Sequence, residues 1–166
     1  MKTFAAFSLA IALLMLTSCN PAQPDETHGL YTGGDVTQAD VDKALQTAKS
    51  EGKFLMVEFG ADWCVDCVVL ARTLEEGGTK EYFQQHFVVL KVDVGKFDRN
   101  HAIAKALDVE LKGIPTAAFF APDGSRIGAT NKMELEPSSK YGSKQILPFL
   151  KEIAERKLIT NPAQYQ

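Results

Sequence analysis

From residue 37 onward, apolar positions at helical spacing alternate with short unbroken apolar runs. Val41, Ala44, Leu45 and Ala48 share one face, with Thr37 or Asp40 as cap, and predict a helix to about Ser50 that Gly52 ends. Phe54–Phe59 is an apolar run before Gly60, the pattern of a strand buried on both faces. Cys64 to about Glu76 is helical in composition and is expected to stop at Gly77-Gly78, after which Thr79 caps a short segment through Gln85. Phe87–Val94 is the clearest strand of the chain, and Asp98–Leu107 predicts a helix carrying Ile103, Ala104 and Leu107. Thr116–Ala121 and Arg126–Thr130 predict two strands joined by the turn Pro122-Asp123-Gly124. Residues 131–143 are polar and read as loop; Ser143 then caps a last helix, Gln145 to about Lys157, with Pro148 in its first turn.

The order α, β, α, β, α, β, β, α predicts an α/β fold: a partly parallel sheet, helices on both faces, and an antiparallel edge from the final hairpin. At 166 residues the length suits one domain, expected here over residues 37–158 with a C-terminal tail at 159–166. The first residues follow a different pattern. Lys2 precedes an apolar core from Phe4 to Leu16, which has the length of a signal peptide and falls short of the ~20 residues a bilayer span needs. Residues 19–36 hold few large apolar residues and several Gly and Pro, and read as a flexible tether.

Composition narrows the function. Net charge is −3 and no Lys/Arg block stands out, which gives nucleic-acid binding little support. Three cysteines are too few for a disulfide-stapled miniprotein, and the odd number requires one of them to stand apart. Cys64-Val65-Asp66-Cys67 follows a predicted strand and opens a predicted helix. At i and i+3 on a first helical turn, two thiols approach disulfide geometry with little backbone movement. The first sits at a helix N-terminus, where the dipole and free N–H groups favour thiolate and should lower its pKa below the free value of ~8.5. Thiolate is the attacking species in disulfide exchange, and a second cysteine can resolve the mixed disulfide.

Other readings of the pair stay open at this point. A zinc site lacks its other half, because no second CxxC exists and His86 and His101 have no ligand spacing. A Cu(I) site needs only two thiolates, so a copper carrier or metallochaperone is the alternative function. An inert disulfide over so short a loop would constrain the unfolded chain little. Haem attachment is excluded because Val68, not His, follows Cys67. A non-catalytic assembly factor that uses its fold as a docking surface is a third option.

The stretch Phe59-Gly60-Ala61-Asp62-Trp63-Cys64-Val65-Asp66-Cys67 resembles the active site of the thioredoxin-like family. Gly113-Ile114-Pro115-Thr116 is similar to that family's cis-proline loop, and Lys91-Val92-Asp93-Val94 to its central strand. The Asp-Trp-Cys-x-x-Cys form and the lengthened first helix–strand connection resemble the C-terminal domain of the membrane thiol:disulfide interchange reductase more than cytosolic thioredoxin. The resemblance implies a three-layer sandwich with a central mixed sheet and a thiol:disulfide oxidoreductase that needs no cofactor and no metal. It implies Cys64 as attacking thiol, Cys67 as resolving thiol, and Glu58 as a buried acid that helps deprotonate Cys67. A carboxyl in an apolar strand should have a raised pKa; the alternative places Glu58 at an exposed strand end. Lys91 matches a lysine balancing that acid, or else is a solvated charge. Pro115 matches the cis-proline facing the sulfurs, which leaves the preceding backbone free to pair with an extended substrate. Trp63 is a site cover, core packing, or both. The stretch 128–143 departs from the family's compact hairpin.

Leu16-Thr17-Ser18-Cys19 resembles a bacterial lipobox, which implies a signal peptide of residues 1–18 and lipidation of Cys19. The mature chain would carry 17 basic and 21 acidic residues, and Cys64 and Cys67 would remain as a pair. Asn20 in place of Asp after the lipidated residue leans toward the outer membrane, and the chain would face the periplasm as a monomer. With no His between the cysteines and with Asp62, Asp66 and Glu58 nearby, a reductase is expected, provided that Asp66 points toward Cys64. A reductase in an oxidising compartment implies a membrane electron donor and, as substrates, protein thiols and disulfides.

Overall fold

The computed structural model describes residues 29–31 and 33–165. The expected signal peptide, Cys19 and residues 20–28 lie outside the described residues. Four strands form one sheet in the order β2-β1-β3-β4. They are β1 (Phe54–Gly60), β2 (Phe87–Asp93), β3 (Thr116–Phe120) and β4 (Arg126–Ala129). β1 pairs parallel with β2 and antiparallel with β3, and β3 pairs antiparallel with β4. The sheet is thus mixed, with the hairpin at its edge, as its alternation of elements predicts.

Helices cover both faces. α1 (Gln38–Glu51) and α4 (His101–Ala106) pack with Leu55, Val57 and Phe59 of β1 in one apolar cluster. α2 (Val65–Leu74), α3 (Gly77–His86) and α5 (Ser143–Arg156) pack with Met56, Ala117 and Phe119 in the other. The split follows the two-residue period of β1, whose adjacent side chains face opposite layers. Six of its seven residues are buried, and Glu58 is the one charge among them.

Several boundaries differ from expectation, each for a local reason. Thr37 is the N-cap of α1, while the Asp40 carboxylate accepts from the Thr37 N–H at 2.8 Å. α2 ends at Leu74, not at Gly77-Gly78. Gly77 holds φ +45°, a left-handed value that lets the chain turn and re-enter a helix at once, so the glycine pair opens α3. Thr79, expected as a cap, is buried within it. α4 starts at His101, not at Asp98, because side chains capture the backbone ahead of it. Gly95 N–H donates to Asp93, Lys96 N–H to Asp98, and Asn100 itself is left-handed. α5 starts at Ser143 with Gly142 as N-cap, so Pro148 lies inside the helix and not in its first turn.

The described part of the expected tether is packed against the domain. Asn100 donates to the Gly34 carbonyl at 2.9 Å and accepts from the Val36 N–H at 2.8 Å. Tyr31 is 4% exposed and belongs to the α1-side core. The expected loop 131–143 is ordered too. It buries Leu135 and Ser138, holds a cis Glu136–Pro137 bond, and forms a 3-10 helix, Ser138–Lys140, that packs on α2.

Gly60 ends β1 directly beneath the Tyr31 ring, and a Cβ there would overlap the phenol. Gly60→Ala should cost about 1–3 kcal/mol through overpacking. In a Tyr31→Ala background that cost should largely vanish, which urea unfolding of the four chains in the cycle would measure.

Candidate active site

The turn after β1 delivers two sulfurs to the start of α2. Cys64 is the N-cap residue of that helix, with extended backbone, and its Sγ accepts the Cys67 N–H at 3.2 Å. A sulfur thus fills the place that a Ser or Asp oxygen usually takes, bound to one of the helix's free N–H groups. On its other side the Cys64 thiol donates to the Ile114 carbonyl at 3.4 Å. Ile114 precedes Pro115, and the bond between them is cis. Both cysteines are free thiols.

The two thiols differ in access. Cys64 is 6% exposed and lines a cleft of about 420 Å³ together with Trp63, Asp66, Phe97, Ile114 and Glu136. Cys67 is 0% exposed. Trp63 is 55% exposed; its Nε1 donates to the Gly95 carbonyl at 2.7 Å, and its ring stands 6.1 Å from that of Phe97. Trp63 is therefore not packed in the core.

Behind Cys67 lies a carboxyl. Glu58 is fully buried, opposite Lys91 in β2 and Ala117 in β3. Its Oε1 accepts from the Tyr31 hydroxyl at 2.6 Å, and its Oε2 finds no hydrogen-bond partner among the described residues. Burial pushes the Glu58 carboxyl above its ordinary range, against the opposing pull of the Tyr31 hydrogen bond and the Lys91 charge. Burial likewise pushes the Cys67 thiol upward, with Cys64 and Glu58 adding to the shift. The exposed-strand-end reading of Glu58 therefore fails. Lys91 forms no ion pair with it; its Nζ lies 5.2 Å from the centre of the Tyr31 ring.

Asp66 does not meet its condition. Its Oδ1 accepts the Ser139 N–H at 2.6 Å, so the carboxylate is committed to the 131–143 segment and not to Cys64. Asp62 accepts the Tyr31 N–H at 3.0 Å. The acid whose charge reaches Cys67 is Glu58. Among the described residues, no three His, Cys, Asp or Glu side chains converge as metal ligands. His86 and His101 bond to the carbonyls of Tyr82 and Phe97 in other parts of the fold.

Tyr31, buried beside Glu58, and the cleft residues Phe97, Lys112 and Glu136 were missed from sequence. Tyr31 sits in a glycine-rich stretch without periodicity, and only its lone aromatic ring could have marked it. Glu136 comes from the segment read as loop.

A family profile described as thioredoxin-like matches residues 35–122. The chain belongs to the thioredoxin-like family. A crystal structure of a disulphide isomerase from Xylella fastidiosa superposes with a TM-score of 0.71 at 32% identity, covering 78% of this chain and 99% of that one. Thiol:disulfide interchange protein DsbD 1 of Pseudomonas aeruginosa is 32% identical over 105 residues, 63% of this chain and 17% of the relative. A protein disulfide-isomerase of Schizosaccharomyces pombe is 28% identical over 117 residues, 70% of this chain and 31% of the relative. The thioredoxin-like chain thus spans under a third of each of these two curated relatives. Its site carries the cysteine pair of a thiol:disulfide oxidoreductase.

The raised Glu58 pKa has a sign for stability. An acid whose folded pKa exceeds its unfolded value stabilises fully below the unfolded value and loses that contribution as pH rises toward the folded value. Wild-type stability should therefore fall as pH rises above the ordinary carboxylate range, by at most about 1.4 kcal/mol per pH unit from this group. Glu58→Gln should flatten the profile and be the more stable chain at the upper end, as denaturant midpoints across that rise in pH would test.

Proposed function

We propose that this chain is a lipid-anchored thiol:disulfide reductase facing the periplasm. One observation carries the reaction: the Cys64 sulfur caps a helix at the edge of an open cleft, with the Cys67 thiol buried behind it. In the forward half-reaction the Cys64 thiolate attacks a substrate disulfide and forms a mixed disulfide, releasing one substrate thiolate. Cys67 then loses its proton to Glu58 and attacks Cys64. The Cys64–Cys67 bond forms, the second substrate thiolate leaves, and two electrons have passed to the substrate. The backbone before Pro115 pairs with an extended substrate segment, Trp63 covers the reacting sulfurs, and the Lys91 charge limits the cost of ionising Glu58.

The reducing direction rests on what faces Cys64. Lys112, a cation of the cleft, has its Nζ in an ion pair with Glu110, and no His separates the two cysteines. The helix start then supplies the main pull toward the Cys64 thiolate, with no free cation or His among the described cleft residues to add to it, unlike the strongly oxidising relatives. A reductant outside the cytoplasm must be reduced again, so the partner is a membrane electron donor of the thiol:disulfide interchange type. Protein disulfides are the substrates. The anchor rests on Leu16-Thr17-Ser18-Cys19 and the apolar core before it.

Insulin reduction by dithiothreitol should be accelerated by the wild type and not by Cys64→Ser, and Cys67→Ser should accumulate stable mixed disulfides. Equilibration with glutathione should give a potential nearer the about −270 mV of a reductant than the about −120 mV of a strong oxidant. A value at the oxidising end would overturn the direction and leave the exchange chemistry standing.

The anchor is tested separately. Cells fed labelled palmitate should label the full chain, and Cys19→Ala should remove the label and release the chain from the membrane fraction.

A further inference from the structure

Cys67 poses a problem of proton movement. It is completely buried, so solvent reaches its proton only slowly, yet it must be deprotonated to attack Cys64. A third group lies between Glu58 and Cys67. The Tyr31 hydroxyl donates to Glu58 Oε1 at 2.6 Å, and Tyr31 packs in the same buried cluster as Cys67. Three elements fix that phenol: Asp62 holds its backbone N–H, Gly60 leaves room for the ring, and Lys91 stands over it. A hydroxyl donates one hydrogen bond while accepting others, so it can take a proton from a thiol as it gives one to a carboxylate.

We propose that Tyr31 is the proton relay between Cys67 and Glu58, a role that rests on the disulfide-exchange reading above. In the resolving step the Cys67 proton passes to the Tyr31 oxygen while the Tyr31 proton passes to Glu58. The Cys67 sulfur then bonds to Cys64, the bond from Cys64 to the substrate sulfur breaks, and the leaving thiolate takes a proton from solvent. When the pair is next reduced, the proton returns from Glu58 to Cys67 by the same path. The titratable groups facing the relay are Glu58 from β1, Lys91 from β2, Cys64 and Cys67 at the start of α2, and Asp62 in the turn before it.

The test compares full-length wild type with Tyr31→Phe, which keeps the ring and removes the hydroxyl. A chromogenic aromatic disulfide serves as substrate, so mixed-disulfide formation and resolution are read as separate phases. Formation, and alkylation of reduced Cys64, should stay within about twofold of wild type. Resolution should slow by about tenfold or more near neutral pH, the scale of general acid–base assistance. The deficit should shrink as pH rises and hydroxide removes the thiol proton directly. Glu58→Gln should show the same defect, and the double variant no further loss. Wild-type resolution kinetics in Tyr31→Phe overturn the relay and leave the exchange reading intact. A loss equal at all pH values, accompanied by altered Cys64 alkylation, overturns it in favour of a packing role. Absence of any mixed disulfide with the wild type overturns the exchange reading, and the relay with it.

Discussion

A carboxyl at the centre of a sheet, bonded on both sides and out of contact with water, constrains everything around it. Left ionised and unpartnered, such a group costs several kcal/mol. Glu58 has one strong hydrogen bond, from Tyr31, and a cation across the strand pair at Lys91. The chain before α1 must therefore fold back to deliver a hydroxyl into the core, and Asn100 and Asp62 hold that segment down on either side of Thr32. Gly60 must lack a side chain for the same reason. The acid is thus a structural requirement on the N-terminal segment as well as a chemical neighbour of Cys67.

The reactive pair was legible because its chemistry and its geometry are both local. Cys64 and Cys67 lie on one helical turn, and the strand before them follows from an unbroken apolar run. The mixed sheet followed from element order in the same way. What sequence could not give is set by long-range partners. Tyr31 and Glu58 are 27 residues apart, and neither periodicity nor composition links them. Glycine gave the wrong sign at Gly77: the left-handed freedom that ends many helices here opens one. Ahead of α4 the carboxylates of Asp93 and Asp98 take the N–H groups of Gly95 and Lys96 and Asn100 is left-handed, which delays the helix start to His101.

The two sulfurs share a helical turn but not an environment. Cys64 touches the cleft, a backbone donor and a backbone acceptor, so a charge on it has a partner and an approaching disulfide has access. Cys67 has burial and a nearby acid, both of which favour the protonated thiol. This difference separates attack from resolution. It also moves the electrostatic question away from Asp66, whose position between the cysteines in sequence suggested control of Cys64. With that carboxylate bound to Ser139, the charge state of Glu58 bears most directly on the pair.

The Asp66–Ser139 bond has a second consequence. It ties the first turn of α2 to the 131–143 segment, which is anchored in the core by Leu135 and packed along the same helix. That segment carries Glu136 to the cleft, beside Gly113, where a side chain on the glycine would collide with the carboxylate. The departure from a compact hairpin at 128–143 is therefore a wall of the site. On its far side the helix start is held by Trp63, whose indole bonds to the Gly95 carbonyl beyond β2. The N-terminus of α2 is braced from both flanks, by the Trp63 indole on the Gly95 carbonyl and by the Ser139 N–H on the Asp66 carboxylate, which holds Cys64 against the Ile114 carbonyl. A relay through Tyr31 needs that rigidity, because a hydroxyl can serve the thiol and the acid together only while both stay within hydrogen-bonding reach.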